Sequence, residues 1–303
     1  MELQIGRRAA VLAVSLLAAG CVTTSAPRPT GRAEAPTPAT PQVQTQAAAF
    51  TGFMRQAGAI NPTFSNPAAV SASLQAAAAY EPKQLEGGMI AFAAMAALQE
   101  PAFVTGVRKT AGREGSQALA RRIIANPAAT LALPGASAAA GRARGALARQ
   151  ASTLTARGDA VKAASYSIQR QAWARAKVTD APGRLSRVKA LGRAGYRVTD
   201  ADQAQLRRAL LEGGSRGGGS SPVVAHGLAA AALSVLSDER AAGRMLAEPR
   251  SGMCVRMAKL NYHQCLASAG PYYEDIYCLG RHAMLETSSC VAQAAQGTRL
   301  ASR

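Results

Sequence analysis

Aromatic residues are scarce in this chain: they make up 4% of its 303 residues, and only one of them is a tryptophan. The interior of a β-sheet is usually filled by β-branched and aromatic side chains, whereas the abundant alanine favours helices. A core of alanine, leucine, valine and methionine therefore argues against a sheet. We predict an all-α fold, a multi-helix body with a long central helix or hairpin and close contacts between helices.

The more specific catalytic signatures are also absent. The chain contains no phosphate-binding glycine loop, no His-Glu-x-x-His motif and no Gly-x-Ser-x-Gly nucleophile elbow. Ser186 and Lys189 match the Ser-x-x-Lys pattern of penicillin-interacting enzymes, but no Lys-Thr-Gly or Ser-Asp-Asn motif follows them. We therefore interpret both residues as part of a basic helix.

The N-terminal apolar segment is too short to cross a bilayer. It has about twelve uncharged residues, whereas a spanning helix needs roughly twenty. The segment follows Arg7 and Arg8 and leads into Leu17-Ala18-Ala19-Gly20-Cys21. A basic start, a short apolar stretch and small residues before a cleavage point are typical of a secretory signal.

The cysteine that follows this cleavage point directly resembles the lipobox of bacterial lipoprotein precursors, although Ala18 stands where Leu or Val is usual. In that family the preceding peptide is removed and the cysteine is acylated. The resemblance implies that Cys21 becomes the palmitoylated N-terminus, and several acyl chains together anchor a protein stably. Val22 replaces the Asp that commonly retains family members at the inner membrane, which favours the outer membrane, facing the periplasm.

Composition divides the remaining chain into regions. A Pro/Thr/Ala segment without hydrophobic periodicity predicts a disordered linker, and a later Gly/Ser run predicts a flexible connector, or alternatively one mobile loop inside a single domain. The predicted regions are a signal peptide at 1–20, the lipidated cysteine and linker at 21–46, a basic helical domain at 47–212, a Gly/Ser linker at 213–220, a four-cysteine helical segment at 221–296 and a tail at 297–303.

The longest helical signal runs from residue 136 to about residue 178. Leu147, Leu154, Val161 and Ile168 recur every seven residues, and a small residue lies four positions after each of them. This alternation resembles a coiled-coil seam whose small positions permit close packing. The Gly-Asp pair at 158–159 can instead end one helix and cap the next, making a hairpin. We predict the continuous helix and keep the hairpin as the alternative.

Acidic residues are few: 17 Asp plus Glu stand against 35 Lys plus Arg, a formal net charge of +18. Residues 101–210 alone carry 20 basic and five acidic residues, an excess of fifteen positive charges. Such a field attracts anionic partners. In the periplasm these are lipid head groups, lipopolysaccharide phosphates or cell-wall carboxylates rather than nucleic acid. The alternative is a solvated basic surface without a ligand.

Residues 182–195 place part of this charge on an amphipathic helix. Leucine and valine occupy one side and basic residues occupy the rest. The helix has no Trp or Phe to insert into a bilayer, so we interpret it as a surface helix rather than a membrane-lying one. The candidate anion-binding residues are Arg184, Arg187, Lys189 and Arg193.

Four cysteines near the C-terminus allow three pairings. Cys254 and Cys265 are eleven residues apart, about 16 Å along a helix and far beyond the ~7 Å Cα limit for a disulfide. A break at 269–271 lets the two halves fold back antiparallel, so we predict the nested disulfides Cys254–Cys290 and Cys265–Cys278. The last two cysteines are roughly 120° out of phase on a perfect α-helix, which predicts a kink or restart near 287–289.

A zinc site is the alternative use of these cysteines. His263, Cys265, Cys278 and His282 carry the ligand types of a tetrahedral site, but their spacing is unlike that of zinc fingers. In an oxidising compartment the thiols pair instead. We therefore predict no metal and no other cofactor.

The sequence indicates a non-catalytic, membrane-tethered envelope lipoprotein with a basic helical surface. Its expected partners are the membrane, through the anchor, and an anionic envelope component or an envelope protein. The competing class is an envelope hydrolase acting on cell wall or lipid, with His263, His282 or Ser186 as its centre. An enzyme would gather ionisable residues in one concave pocket, whereas a binding module would present a basic face or groove.

Overall fold

Proline begins many of the helices in the computed structural model, which describes residues 39–212, 214–217 and 221–296. Six of the α-helices in these ranges have proline as their first residue. Proline is suited to this position because its missing N–H has no partner in the first turn of a helix and its φ angle is already helical.

The described residues are helical almost throughout, with one isolated β-bridge between Lys177 and Pro271 and no strand. This confirms the all-α prediction. The α-helices are α1 Pro41–Gly58, α2 Pro67–Ala78, α3 Pro82–Ala97, α4 Pro101–Glu114, α5 Ser116–Ala125, α6 Ala136–Ser167, α7 Ala172–Arg175, α8 Ala181–Ala194, α9 Asp200–Leu211, α10 Pro222–Val235, α11 Glu239–Arg244, α12 Pro249–Ser268, α13 Tyr272–Cys278 and α14 Thr287–Gln296; a 3-10 helix spans Pro127–Ala132 and a π-helix spans Leu279–Glu286.

Helix α3 lies at the centre of the core. It is apolar nearly all round, and Met89, Ile90 and Phe92 are completely buried. Helices α1, α6, α10 and α12 pack against it. A helix that is hydrophobic on every side must be surrounded in this way. We refer to α1, α3 and α10 as the alanine-rich layer.

Helix α6 is the longest element and runs without a break through Gly158. The predicted continuous helix is confirmed over this range, although it ends at Ser167 rather than near residue 178. A Cβ atom at position 158 would lie 3.0 Å from the Leu285 side chain. The glycine therefore serves a close contact between α6 and the π-helix rather than a turn.

The Gly/Ser segment joins two parts of one core. Helix α10, which follows it, packs against α3, which precedes it. The described part of the segment is held by α6, since the Arg144 guanidinium donates to the Arg216 carbonyl oxygen at 2.8 Å and the Arg216 N–H donates to the Gly141 carbonyl oxygen at 3.0 Å. The regions predicted as 47–212 and 221–296 thus share their packing, as the single-domain alternative expects.

The N-terminal boundary also differs from the prediction. Helix α1 begins at Pro41, inside the range 21–46 that was predicted as linker, because its first turn buries Val43. The signal peptide, Cys21 and the tail 297–303 lie outside the described residues. Within the described ranges no single helix is long and apolar enough to cross a membrane; α3 and α4 pass that test only as a pair, which is bent by 90°.

Candidate functional site: an arginine-lined cleft

Two disulfides tie the C-terminal helices together, in the nested order that the sequence predicts. Cys254 is bonded to Cys290 with a Cα–Cα distance of 5.7 Å, and Cys265 is bonded to Cys278 with a Cα–Cα distance of 5.6 Å. The first joins α12 to α14 and the second joins α12 to the end of α13. We call α12, α13, the π-helix and α14 the C-terminal hairpin.

The π-helix solves the phase problem between Cys278 and Cys290. Its i to i+5 hydrogen bonds widen the turn, so each of its eight residues rotates the chain by less than the α-helical value. Summed over the π-helix, this smaller rotation offsets much of the roughly 120° by which Cys278 and Cys290 would be out of phase on a regular α-helix. The predicted restart near 287–289 is confirmed, because α14 starts at Thr287, but the irregularity that precedes it occupies Leu279–Glu286.

The zinc alternative is wrong for these residues. Both of its cysteines, Cys265 and Cys278, are bonded to each other, so neither offers a thiolate to a metal. Among the described residues, no three His, Cys, Asp or Glu side chains are grouped so as to hold a metal ion.

Helix α8 carries the four candidate anion-binding residues, and it separates them. Arg184 was predicted to lie on its basic surface, and this is wrong: only 5% of the residue is exposed. Positions 184, 188 and 192 follow one another at intervals of four, so they share the face that is buried. Arg187, Lys189 and Arg193 are exposed on either side of that face.

The buried Arg184 guanidinium connects α8 to the hairpin. Its Nη1 donates to the Asp275 carboxylate in an ion pair, and its Nη2 donates to the carbonyl oxygens of Leu266 and Ala269 at the end of α12. Its Nε is buried without a hydrogen-bond partner. Burial raises the pKa of Asp275 to about 6, while the bond from Arg184 acts in the opposite direction.

A cleft of about 270 Å³ opens beside this ion pair, and we call it the Arg184 cleft. Helix α2 forms its apolar wall, and the start of α8 and the start of α13 form its polar wall. An exposed ion pair between Arg187 and Asp180, 3.0 Å long, lies at its edge. The lining residues are Pro67, Ala68, Val70, Ser71, Leu74, Val178, Thr179, Asp180, Arg184, Arg187, Tyr272 and Asp275.

Lys189 and Arg193 lie on the other side of α8, near α12. Burial lowers the pKa of His263 to about 4, and the positive charges of Lys259, Lys189 and Arg193 act in the same direction. The His263 Nε2 atom is buried and has no hydrogen-bond partner. The four basic residues predicted as one site thus form two separate pairs, one at the cleft and one beside His263.

Lys259 is a buried basic residue that the sequence analysis missed. Its Nζ donates to the carbonyl oxygens of Ala78 at 2.6 Å and Tyr80 at 3.1 Å, and lies 3.9 Å from the centroid of the Tyr80 ring. Burial lowers its pKa to about 7, opposed by the negative charge of Glu81. The residue closes the C-terminal end of α2, where unpaired carbonyl groups attract a cation.

His282 and Glu286 form a second polar group on the π-helix. The His282 Nδ1 and a Glu286 carboxylate oxygen are 2.9 Å apart, and Asn261 donates to the other carboxylate oxygen at 2.9 Å. A carboxylate that accepts from Nδ1 leaves Nε2 as the available ring nitrogen. Ser186, the third proposed catalytic residue, is exposed on α8, so the structure does not bring the three into one pocket.

Among these features, the Arg184 cleft best suits a ligand. It combines an apolar wall with an immobilised guanidinium and an exposed one, which suits a small group that carries a carboxylate or a phosphate. Two sequence signals could have identified the buried charges. Position 259 falls on the buried side of α12 in the helical periodicity, and Asp275 is an acidic residue in the first turn of α13. Comparison of the chain with protein-family models, with curated proteins and with solved structures finds no match in any of the three.

Proposed function

We propose that the protein is a lipid-anchored envelope protein, facing the periplasm, that binds an anionic component of the envelope without chemical turnover. The lipobox-like segment that ends at Cys21 supports the anchor. The two disulfides support an exported location, because such bonds persist in oxidising compartments. Val22 after the cysteine favours the outer membrane over the inner one.

The observation that carries the binding proposal is the arrangement of the Arg184 cleft. Arg184 is fixed by Asp275 and two carbonyl oxygens, so its charge is already balanced by Asp275 and only its Nε–H, which has no hydrogen-bond partner, is left to donate to a ligand. Arg187 is paired with the exposed Asp180, and exposed ion pairs contribute little because water and salt screen the charges. A ligand anion can therefore replace Asp180 as the partner of Arg187.

The size of the cleft limits the ligand. Pockets for drug-sized molecules hold about 300–1,000 Å³, and this cleft holds about 270 Å³. We infer that it takes one acidic unit of a larger envelope polymer, such as a cell-wall carboxylate or a phosphate of lipopolysaccharide, rather than an extended segment. The apolar wall from α2 would contact the carbon skeleton beside the anionic group.

The test is binding to isolated cell wall and to lipopolysaccharide at several salt concentrations. Arg187→Gln should weaken the binding several-fold and reduce its salt dependence, since exposed charges are screened within about 10 Å at 0.1 M salt. Arg207→Gln removes the same charge from the exposed surface of α9 and should have little effect. Equal losses in both variants would indicate a general basic surface instead of a site.

The anchor needs a separate experiment. Cys21→Ser should leave the protein unprocessed or free of the membrane, because the acylated group is lost. Membrane fractionation and mass spectrometry of the N-terminal peptide report the outcome. Normal membrane retention of this variant would contradict the anchoring proposal and would leave the cleft proposal intact.

An envelope hydrolase is the second candidate, and one observation favours it. The Glu286 carboxylate fixes the imidazole of His282, which is the arrangement of a general base. Release of soluble fragments from cell wall or lipid, abolished by His282→Gln but retained by His226→Gln, would support catalysis. Absence of release by the wild-type protein would favour the binding function.

A further inference from the structure

Helix α12 exposes an apolar stripe on the side that faces away from the core. Met253 is 54% exposed, and Met257 and Leu260 are each 45% exposed. Residues at i, i+4 and i+7 share one side of a helix, so these side chains form a single strip, which we call the α12 stripe. The opposite side of the same helix is completely buried at Val255, Tyr262 and Leu266.

The α12 stripe is unusual for this protein. Two other large hydrophobic residues in the described ranges are exposed, Tyr166 and Leu211, and they lie on different helices. Single exposed apolar residues are normal on a protein surface, whereas a contiguous group indicates a contact with another molecule or a membrane. Disulfides from Cys254 and Cys265 hold the helix that carries the stripe, so its shape is preorganised.

The charges beside the stripe are positive. Helix α12 contains no acidic residue, and Arg256 is exposed immediately before Met257. Helix α8 packs against α12 and contributes Lys189 and Arg193, whose charges act on His263 of α12. The stripe therefore has a basic edge on the side of α8.

An anionic lipid surface is the partner that fits this combination. A helix that lies in a membrane interface inserts an apolar strip and places Lys and Arg beside the head groups, where each positive charge adds to the attraction of an anionic surface. A protein helix would instead need a groove between two elements, and all three apolar residues here come from one helix. We propose that the α12 stripe lies on the anionic lipid surface of the membrane, with Lys189, Arg193 and Arg256 contacting phosphate groups.

This inference is independent of the Arg184 cleft, and it does not require the lipid anchor. An anchor at Cys21 would, however, raise the concentration of the body next to a membrane and strengthen a weak surface contact. The two proposals can also fail separately, because one concerns lipid bilayers and the other concerns isolated cell wall and lipopolysaccharide.

The experiment uses the chain from Pro36 onward, whose described residues form one compact unit, so that neither signal peptide nor acyl chain contributes. Its flotation with phosphatidylglycerol-containing vesicles is compared with its flotation with purely zwitterionic vesicles. The triple variant Met253→Ser, Met257→Ser and Leu260→Ser should lose at least tenfold in binding to the anionic vesicles. Leu211→Ser, at an isolated residue that is 83% exposed, should change it less than twofold.

Two further variants separate insertion from charge. Met257→Trp, made together with Trp173→Phe so that position 257 carries the single tryptophan, should show fluorescence quenching by brominated lipids, because the stripe enters the interface. Lys189→Gln with Arg193→Gln should weaken binding several-fold and flatten its salt dependence, whereas the apolar triple variant should keep that dependence. The substituted side chains other than Trp173 are exposed, and circular dichroism would verify that the variants stay folded.

Three results would overturn the proposal. These are unchanged vesicle binding by the triple variant, an unquenched tryptophan at position 257, and equal binding to anionic and zwitterionic vesicles. Absence of vesicle binding by the wild-type body, together with capture of an envelope protein that the triple variant fails to capture, would assign the stripe to a protein partner instead.

Discussion

The alanine-rich layer and the C-terminal hairpin are both helical, but different interactions hold them together. In the layer, glycine lets backbones approach: a Cβ at Gly88 would lie 2.7 Å from the Phe50 Cβ, and a Cβ at Gly227 would lie 2.7 Å from the Ala93 Cβ. The hairpin instead relies on two disulfides and on the buried Arg184–Asp275 pair. Small residues supply the contact area in the layer, whereas covalent and ionic links reinforce the hairpin, which also has a close contact with α6 at Gly158.

This contrast predicts that the hairpin is most sensitive to loss of its buried charge. Asp275→Ala would leave the Arg184 guanidinium buried without its carboxylate, so the free energy of unfolding should fall by about 3–5 kcal/mol. Denaturant unfolding monitored by circular dichroism measures the change. Asp159→Ala, at an exposed position on α6, should change it by no more than about 0.5 kcal/mol. A loss below 1 kcal/mol at position 275 would show that the pair is dispensable.

The disulfides should contribute slightly less, and in a fixed order. The chain-entropy relation gives about 4 kcal/mol for Cys254–Cys290 and about 3 kcal/mol for Cys265–Cys278, because the first closes 36 residues and the second closes 13. Paired Cys→Ala variants, unfolded in denaturant without reductant, test this order. If both variants matched the wild type, packing rather than cross-linking would hold the hairpin.

The sequence predicted the hairpin better than it predicted the candidate site. The disulfide pairing followed from helix length and from the break before Tyr272, because few geometries can satisfy two bonds at once. The π-helix could not be located, since nothing in the residues of 279–286 separates i to i+5 from i to i+4 bonding. The local sequence pattern determines how residues are spaced along a helix, but the position at which the helix deforms depends on the elements that pack against it.

Arg184 shows why the site was harder to predict. Arginine is almost never buried unless it is paired, so its charge argued for the surface, and its partner Asp275 lies 91 residues away in the sequence. Its position on α8, four residues before Val188, pointed to the buried face. The charge of Arg184 argued for an exposed position, whereas its place in the helical period argued for a buried one. The ion pair with the distant Asp275 stabilises the buried position.

The packing of the alanine-rich layer gives a smaller predicted effect. Gly88→Ala would place a Cβ 2.9 Å from the Gln46 carbonyl oxygen, and such overpacking costs about 1–3 kcal/mol. Alanine recovers about 1 kcal/mol of helix propensity, so the net loss should be about 0–2 kcal/mol. Gly112→Ala on α4, where a Cβ meets nothing within 4 Å, should stabilise by about 0.5–1 kcal/mol. Thermal unfolding of the Gly88→Ala and Gly112→Ala variants measures both changes in stability. Stabilisation by both substitutions would contradict close packing in the layer.

The smallest predicted effect concerns His263, whose pKa depends on its burial and on the positive charges between α8 and the hairpin. Burial and the charges of Lys259, Lys189 and Arg193 lower its pKa to about 4, below the usual value of about 6.5. The folded protein therefore disfavours the protonated ring, so this contribution is present above pH 6.5 and is lost as the pH falls towards 4. His263→Gln removes it. The full pKa change would correspond to about 3 kcal/mol, but the ring is only half-buried and solvent screens the charges, so the wild type should lose on the order of 1 kcal/mol more stability than the variant between pH 6.5 and pH 4. Asp275 also titrates in this range, but it is present in both proteins, so the difference between their unfolding curves isolates His263. A constant difference across that range would show that the imidazole is not held among these cations.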